Sequence, residues 1–220
     1  MAAPLSGHLS KLDAVNELLF SVGEDEVSSL ASGLTDAELA EKAIDRASRR
    51  IQLQGWHCNT KRALVLTKNS DNQFALPINT LKVDTVNPNK QRVSSSPPYS
   101  RHINAVMKRS ADDTKFLLYD VDNNSETWSS ETQITVDLVQ FLEFEHLTPS
   151  LQDYITKLAG RQFQKGLMGS RVLFEFTQQD VDEALEAALQ EDAENEDTNM
   201  IFDNPHVHAA VYRNNPFFGR

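Results

Sequence analysis

The chain has 220 residues, of which 40% are hydrophobic and 24% charged, a balance that can bury a sizeable globular core. Its formal net charge of −11 argues against gripping DNA, because neutralising phosphates needs clustered Lys and Arg. No apolar run reaches the roughly 18 residues of a membrane span, Met1 to Ser10 does not read as a secretory signal, and the single cysteine, Cys58, has no partner for an internal disulfide.

The first helix is predicted over Lys11 to Val22, where Leu12, Val15, Leu18, Leu19 and Val22 recur at helical spacing and Gly23 supplies a stop. A turn-rich stretch follows through Ser28, Ser29, Ser32 and Gly33. The second helix is predicted to open on Thr35-Asp36-Ala37-Glu38 as a capping box. Leu39, Ala43, Ile44, Ala47 and Ile51 form its expected buried face, with Ala40 beside them, and Gly55 ends the run.

From Trp56 to about Leu147 the apolar pieces become short and alternate with polar residues. Strands are predicted at Ala63 to Leu66, Phe74 to Leu76, Leu81 to Val86, Ile103 to Met107, Phe116 to Asp120, Thr127-Trp128 and Ile134 to Val139. Asn69 to Asn72 reads as a turn, and Ser94-Ser95-Ser96-Pro97-Pro98 as an exposed loop.

Helical period returns after Thr148-Pro149, a cap and first-turn proline. Leu151, Tyr154, Ile155, Leu158, Ala159, Gln162 and Phe163 share one side, and Gly166 and Gly169 close the helix. The fourth helix is predicted to open on Thr177 to Asp180, a weaker capping box. Val181, Ala184, Leu185, Ala188 and Leu189 face inward, and the other face, Asp182 through Asp197, is almost purely acidic. Acids near a helix C-terminus oppose the macrodipole, so either something other than helix stability selects them or the helix frays early. Beyond Met200, Pro205 and Pro216 exclude a continuous helix, yet Phe202, Tyr212, Phe217 and Phe218 are too apolar for an ordinary disordered tail. An arm docked on a neighbouring subunit and a tail packed on its own domain both fit.

The expected fold is α+β. Residues 1–56 and 147–199 form a discontinuous antiparallel four-helix bundle, 57–146 an inserted antiparallel β lobe, and 200–220 an extended C-terminal arm.

Chemistry-bearing motifs are few. Asp120-Val121-Asp122-Asn123-Asn124-Ser125-Glu126 with Glu131 places oxygens at calcium-loop positions, but Ser125 stands where the loop needs glycine, and the flanks are strands. A hairpin turn explains the run better. His206-Val207-His208 lacks a third metal ligand. His57-Cys58 lacks an orienting third group, and its setting after Trp56 suits a buried thiol. There is no phosphate loop, dinucleotide fingerprint or nucleophile elbow, so no catalytic residue, metal ligand or cofactor is assigned. Cations group at Arg46, Arg49 and Arg50, at Lys108 and Arg109, and at Arg161 and Lys165. A solvated face suits each, as does pairing with the acidic fourth helix in the same chain or the next.

Several of these segments together resemble one family. They are Asp13-Ala14-Val15-Asn16-Glu17-Leu18-Leu19, Val22-Gly23-Glu24, Val27-Ser28-Ser29-Leu30, Arg50-Ile51-Gln52, Gly55-Trp56 with Asn59, Leu118-Tyr119-Asp120, Ile134-Thr135-Val136, Tyr154-Ile155-Thr156-Lys157, Arg161-Gln162-Phe163 and Asn199-Met200. In order and spacing the chain resembles the tail tubular protein A adaptors of short-tailed, autographivirus-type phages. That resemblance implies a virion-tail protein, assembled in the host cytoplasm. It implies a ring, typically a dodecamer, that joins the portal protein to a nozzle of the tail tubular protein B type and helps seat the tail fibre protein. DNA would pass through the centre without sequence-specific binding, and no membrane is involved. Phe202, Tyr212, Phe217 and Phe218 are then the expected arm interface, and Glu186, Glu191, Asp192 and Glu194 the expected channel or inter-subunit acidic face. The alternative is a tail-associated hydrolase acting on the host cell envelope; it needs a poised acid or nucleophile in a cleft, and the sequence marks neither.

Overall fold

The computed structural model describes residues 7–85, 103–110, 114–129, 131–168 and 171–195. Val86, the loop at Ser94 to Pro98, Gly169, the His206-Val207-His208 pair and the whole arm from 200 onward lie outside them. The described residues are mixed α+β: four helices and two antiparallel sheets of three strands. No described helix is long and apolar enough to cross a membrane.

Helix α1 (Lys11–Val22) agrees with its predicted span. Its start is fixed by a capping box the sequence reading passed over: the Ser10 hydroxyl accepts from the Asp13 amide at 3.1 Å, and the Asp13 carboxylate accepts from the Ser10 amide at 3.2 Å. Gly23 ends it in the left-handed region at φ 83°. Ala14, Val15, Leu18 and Leu19 are buried.

Helix α2 (Thr35–Gln52) departs from expectation twice. Thr35 is already inside the helix and Leu34 is the cap residue, so no Thr35–Glu38 box forms; Glu38 instead lies 3.5 Å from Lys42. The buried stripe is Ala37, Ala40, Ile44, Ala47, Ser48 and Ile51, which turns Leu39 outward to 43% exposure. Small residues win that stripe because helices approach closely over alanine, leaving no room for Leu39. The helix stops at Gln52, and Gly55 makes the left-handed turn three residues later, where a Cβ would sit 3.1 Å from Val139 Cγ2.

After a 3-10 turn at His57–Asn59 come strands β1 (Thr60–Thr67), β2 (Ala75–Leu76), β3 (Thr80–Thr85), β4 (Ala105–Arg109), β5 (Phe116–Asp120) and β6 (Gln133–Gln140). One sheet has the order β1-β6-β3, the other β2-β5-β4. The β1–β6 register slips between Lys61 and Leu64, where Ala63 has φ 53° and its amide donates to Asp137 at 2.7 Å. Leu66, Phe74, Leu76, Leu118, Trp128, Ile134, Val136 and Leu138, from both sheets and the loops before β2 and after β5, form one apolar cluster.

Trp128 is buried but not in a strand, contrary to the expectation for Thr127-Trp128. Its amide donates to the Asn72 carbonyl and its indole N–H to the Leu118 carbonyl, and its ring meets Phe74 edge-on at 5.6 Å. Burial of the indole, with its N–H satisfied, fixes this loop; no strand ladder is needed. The Asp120 run is a turn. The Asp120 carboxylate accepts from the Asn123 amide and from the Asn123 side chain, and Asp120 and Ser125 exchange backbone bonds.

Helix α3 (Pro149–Met168) buries Leu151, Gln152, Tyr154, Ile155, Thr156, Ala159 and Phe163. Gln162 is exposed, not part of that side, and Gly166 lies within the helix rather than closing it. Helix α4 (Arg171–Asn195) begins well before the expected Thr177, because no breaker interrupts Arg171 to Phe176, so Thr177 to Asp180 is helix interior and no cap. Amide-to-carboxylate bonds one turn apart, Gln178 to Asp182, Gln179 to Glu183 and Gln190 to Glu194, support this acidic helix to Asn195. Val181, Ala184 and Ala188 are buried, but Leu189 is exposed, contrary to expectation.

Helix α3 packs against α1, α2 and α4. Lys11 of α1 reaches Glu41 and Asp45 of α2, both at 2.9 Å, and Lys157 of α3 reaches Glu17 of α1 at 2.5 Å. A second apolar cluster, from Ala14 to Ala188, draws on all four helices together with Trp56, Phe144 and Leu147.

Candidate functional site

A buried polar joint ties the helices to the end of β6 and the segment after it. Gln52, at the end of α2, donates to Ser48 Oγ at 2.8 Å and to the Leu142 carbonyl at 2.9 Å, and accepts from the Leu142 amide at 2.8 Å. Asn59 accepts from the Trp56 amide at 2.8 Å and donates to the carbonyls of Gln52 and Gln140 at 3.0 and 3.1 Å. Gln152 of α3 bonds both backbone groups of Leu9 and donates to the Phe144 carbonyl. Buried amides tolerate such sites only when satisfied. Periodicity carries no signal for them, since each reads as a stray polar residue on an apolar face.

Nothing at this joint is poised for catalysis. Cys58 is half-buried, and burial, then the carboxylate of Asp192, push its thiol above the ordinary value, which keeps it protonated. His57 contributes a backbone amide, bonded to Asp192 at 2.6 Å, rather than a base directed at the thiol. Asp153 is pushed up by burial, partly offset by Lys157. No group of three metal-ligating side chains occurs among the described residues.

The four acids singled out on α4 divide into two pairs. Glu186 and Glu194 are exposed, Glu194 accepting from Gln190. Glu191 and Asp192 are partly buried beside Cys58; Asp192 caps the 3-10 turn, and Glu191 Oε2 is buried with no partner among the described residues. The arm residues Phe202, Tyr212, Phe217 and Phe218 lie outside the described residues.

The cations are equally divided. Lys108 pairs with Glu126 at 3.4 Å and lies over the Tyr119 ring at 4.3 Å, and Arg109 lies over Phe116. Lys157, outside the cation groups expected from the sequence, has an ammonium that feels Asp180 on α4. Arg46, Arg49 and Arg50 are exposed on α2 and pair with no carboxylate among the described residues.

What the molecule presents, therefore, is surface. Between α2 and α3 runs a groove of about 300 Å³, lined by Leu39, Lys42, Ala43, Arg46, Gln162, Phe163, Gly166 and Leu167. On α1, Phe20 stands 75% exposed, with Asp13, Asn16, Glu17 and Glu26 around it. Ile78, beside β3, and Val65 and Val106 in the sheets are exposed as well. Scattered apolar residues are ordinary on a monomer, but an aromatic at 75% exposure and an open apolar groove suit a chain that works in contact with others. In comparison with known proteins, the chain matches the family model described as Tail tubular protein over residues 12–198. No curated protein matches it.

Proposed function

This chain belongs to the tail tubular protein family, structural components of the phage virion tail, and on that premise we propose that it is the ring subunit joining portal to nozzle. The observation that carries the proposal is a single family match running through helices and sheets alike, residues 12–198. In this reading the helices, residues 1–56 and 147–199, act as one discontinuous antiparallel four-helix bundle. Residues 57–146 are an inserted lobe that offers a second docking face, and 200–220 are an arm that reaches a neighbour through Phe202, Tyr212, Phe217 and Phe218. Twelve copies form the ring, beneath the portal protein and above a nozzle of the tail tubular protein B type, and tail fibre protein seats against it. DNA passes through without being held. The acidic face of α4, with Glu186, Glu191, Asp192 and Glu194, lines that passage or the subunit boundary; an acidic wall repels phosphate and lets DNA slide. The chain performs no turnover, a reading supported by the structural character of the family and by the protonated state of Cys58.

Sedimentation with purified portal rings of the same phage tests this. The full chain should travel with the rings at several copies per ring, while a chain lacking residues 202–220 and the variant E186Q/E194Q stay folded and bind less. Portal rings that sediment bare in the presence of folded full chain would contradict the proposal. Clearing of host cell wall in a zymogram by the pure protein would favour the hydrolase.

A further inference from the structure

The most exposed aromatic among the described residues, and an open apolar groove between α2 and α3, lie on different faces of the same chain at the same level. Phe20 is 75% exposed near the C-terminal end of α1, while Leu18 and Leu19 beside it are buried. Ser21, the next residue, accepts a bond from Gln164 of α3, which sets Phe20 level with that turn of α3. The groove is floored by the same stretch of α3, Phe163, Gly166 and Leu167, and walled by Leu39 and Ala43 of α2, with no α1 residue in its lining. Leu39 and Leu167 are 43% and 46% exposed. Lys42 and Arg46 stand in the lining; Lys42 holds only an exposed 3.5 Å pair with Glu38, and Arg46 has no carboxylate partner among the described residues. Around Phe20 the charge is opposite: Asp13 on α1 and Glu26 after it lie beside the ring, Glu24 and Asp25 precede Glu26 in the chain, and Glu17 is already paired with Lys157.

We propose that Phe20 of one copy inserts into the α2–α3 groove of the next, with its acidic collar against Lys42 and Arg46. The occupant is a second copy of this chain because the knob and its charges are the complement of the groove and its charges. A contact between two different patches is head-to-tail, and it closes into a ring when its rotation divides the circle. The aromatic ring buries roughly 150–250 Å², and Lys42 and Arg46 gain its face as well as the acids. Central aromatic anchors with a charged rim are where association energy concentrates. The inference rests on the ring reading and deepens it by naming the boundary.

Charge reversal within one chain tests it, because every boundary of the ring then carries both changes. The readout is the number of copies bound per portal ring, by native mass measurement, with melting curves to show that each variant is folded. The unsubstituted chain should form a full ring. F20A should weaken ring closure by roughly thirtyfold or more. K42E/R46E should lose the ring, E24K/E26K should lose it too, and the four changes together should restore it. Full rings from folded F20A and K42E/R46E would overturn this boundary and leave the ring reading standing. Absence of rings from the unsubstituted chain would overturn both.

Discussion

Asn59 is the residue on which the joint between helices and sheets turns. It is 2% exposed and satisfies the Trp56 amide and the carbonyls of Gln52 and Gln140 at once. Replacing it with Ala orphans buried groups at about 1–3 kcal/mol each, so N59A should lose roughly 2–4 kcal/mol in urea unfolding. A loss under about 0.5 kcal/mol would mean water or relaxation replaces those bonds. Beside it, Cys58 should alkylate slowly at neutral pH, since burial and Asp192 both favour the thiol over the reactive thiolate. D192N keeps an oxygen for the His57 amide and removes the charge, so its Cys58 should react faster; equal or slower alkylation would contradict the electrostatic part of that account. The sequence suggested a quiet Cys58, and the structure supplies the reason. Gln52 and Asn59 stand in the segments that carry the family resemblance, but neither they nor Gln152 are marked there as buried joints, because a single satisfied polar residue in an apolar stripe leaves no periodic trace.

At the scale of elements, α1 is tied to its neighbours by two buried-edge lysines. Burial pulls Lys11 and Lys157 down, but Glu41 and Asp45 outweigh it for the first, and Glu17, with Asp153 and Asp180, for the second; both end above the ordinary 10.5. A folded-state value above the unfolded one means the contribution is fully present below the unfolded lysine value and lost as pH rises through the folded one. Stability should therefore decline in the alkaline range, and K11M/K157M should flatten that decline when urea midpoints are followed from neutral pH upward. An alkaline limb equally steep in the double variant would refute the assignment. Helical period located all four helices, and α1 to the residue, because apolar spacing reports the buried stripe directly. It misplaced the start of α4 and the rotation of α2. At α4 the capping signal at Thr177 was outweighed by an uninterrupted helical run, and at α2 close packing over alanine set the buried face. The Thr127-Trp128 strand failed for a related reason: an apolar pair reads alike whether it joins a ladder or plugs a core from a loop.

At the scale of the whole molecule, the described residues place two small sheets and four helices around two apolar clusters, with fully bonded buried amides tying α2 and the 57–59 turn to the end of β6. The α+β class and the helix–strand–helix order were legible in the sequence through the change of period at Trp56 and again at Thr148. The candidate surfaces were less legible. The groove needs two helices brought together, and Phe20 becomes prominent only once its neighbours Leu18 and Leu19 are known to face inward. Of the acids expected on one face of α4, Glu191 and Asp192 are partly buried near Cys58, with Asp192 bonded to the His57 amide, which leaves Glu186 and Glu194 as the exposed members. An acidic chain, an apolar groove edged by Lys42 and Arg46 and an exposed aromatic suit the proposed ring subunit. Such a subunit can remain monomeric until a template is present. The most direct test is electron microscopy of the full chain mixed with the portal ring of the same phage. The account predicts an added collar beneath the portal, with Phe20 of each copy in the α2–α3 groove of the next. A bare portal in the presence of folded chain would contradict it.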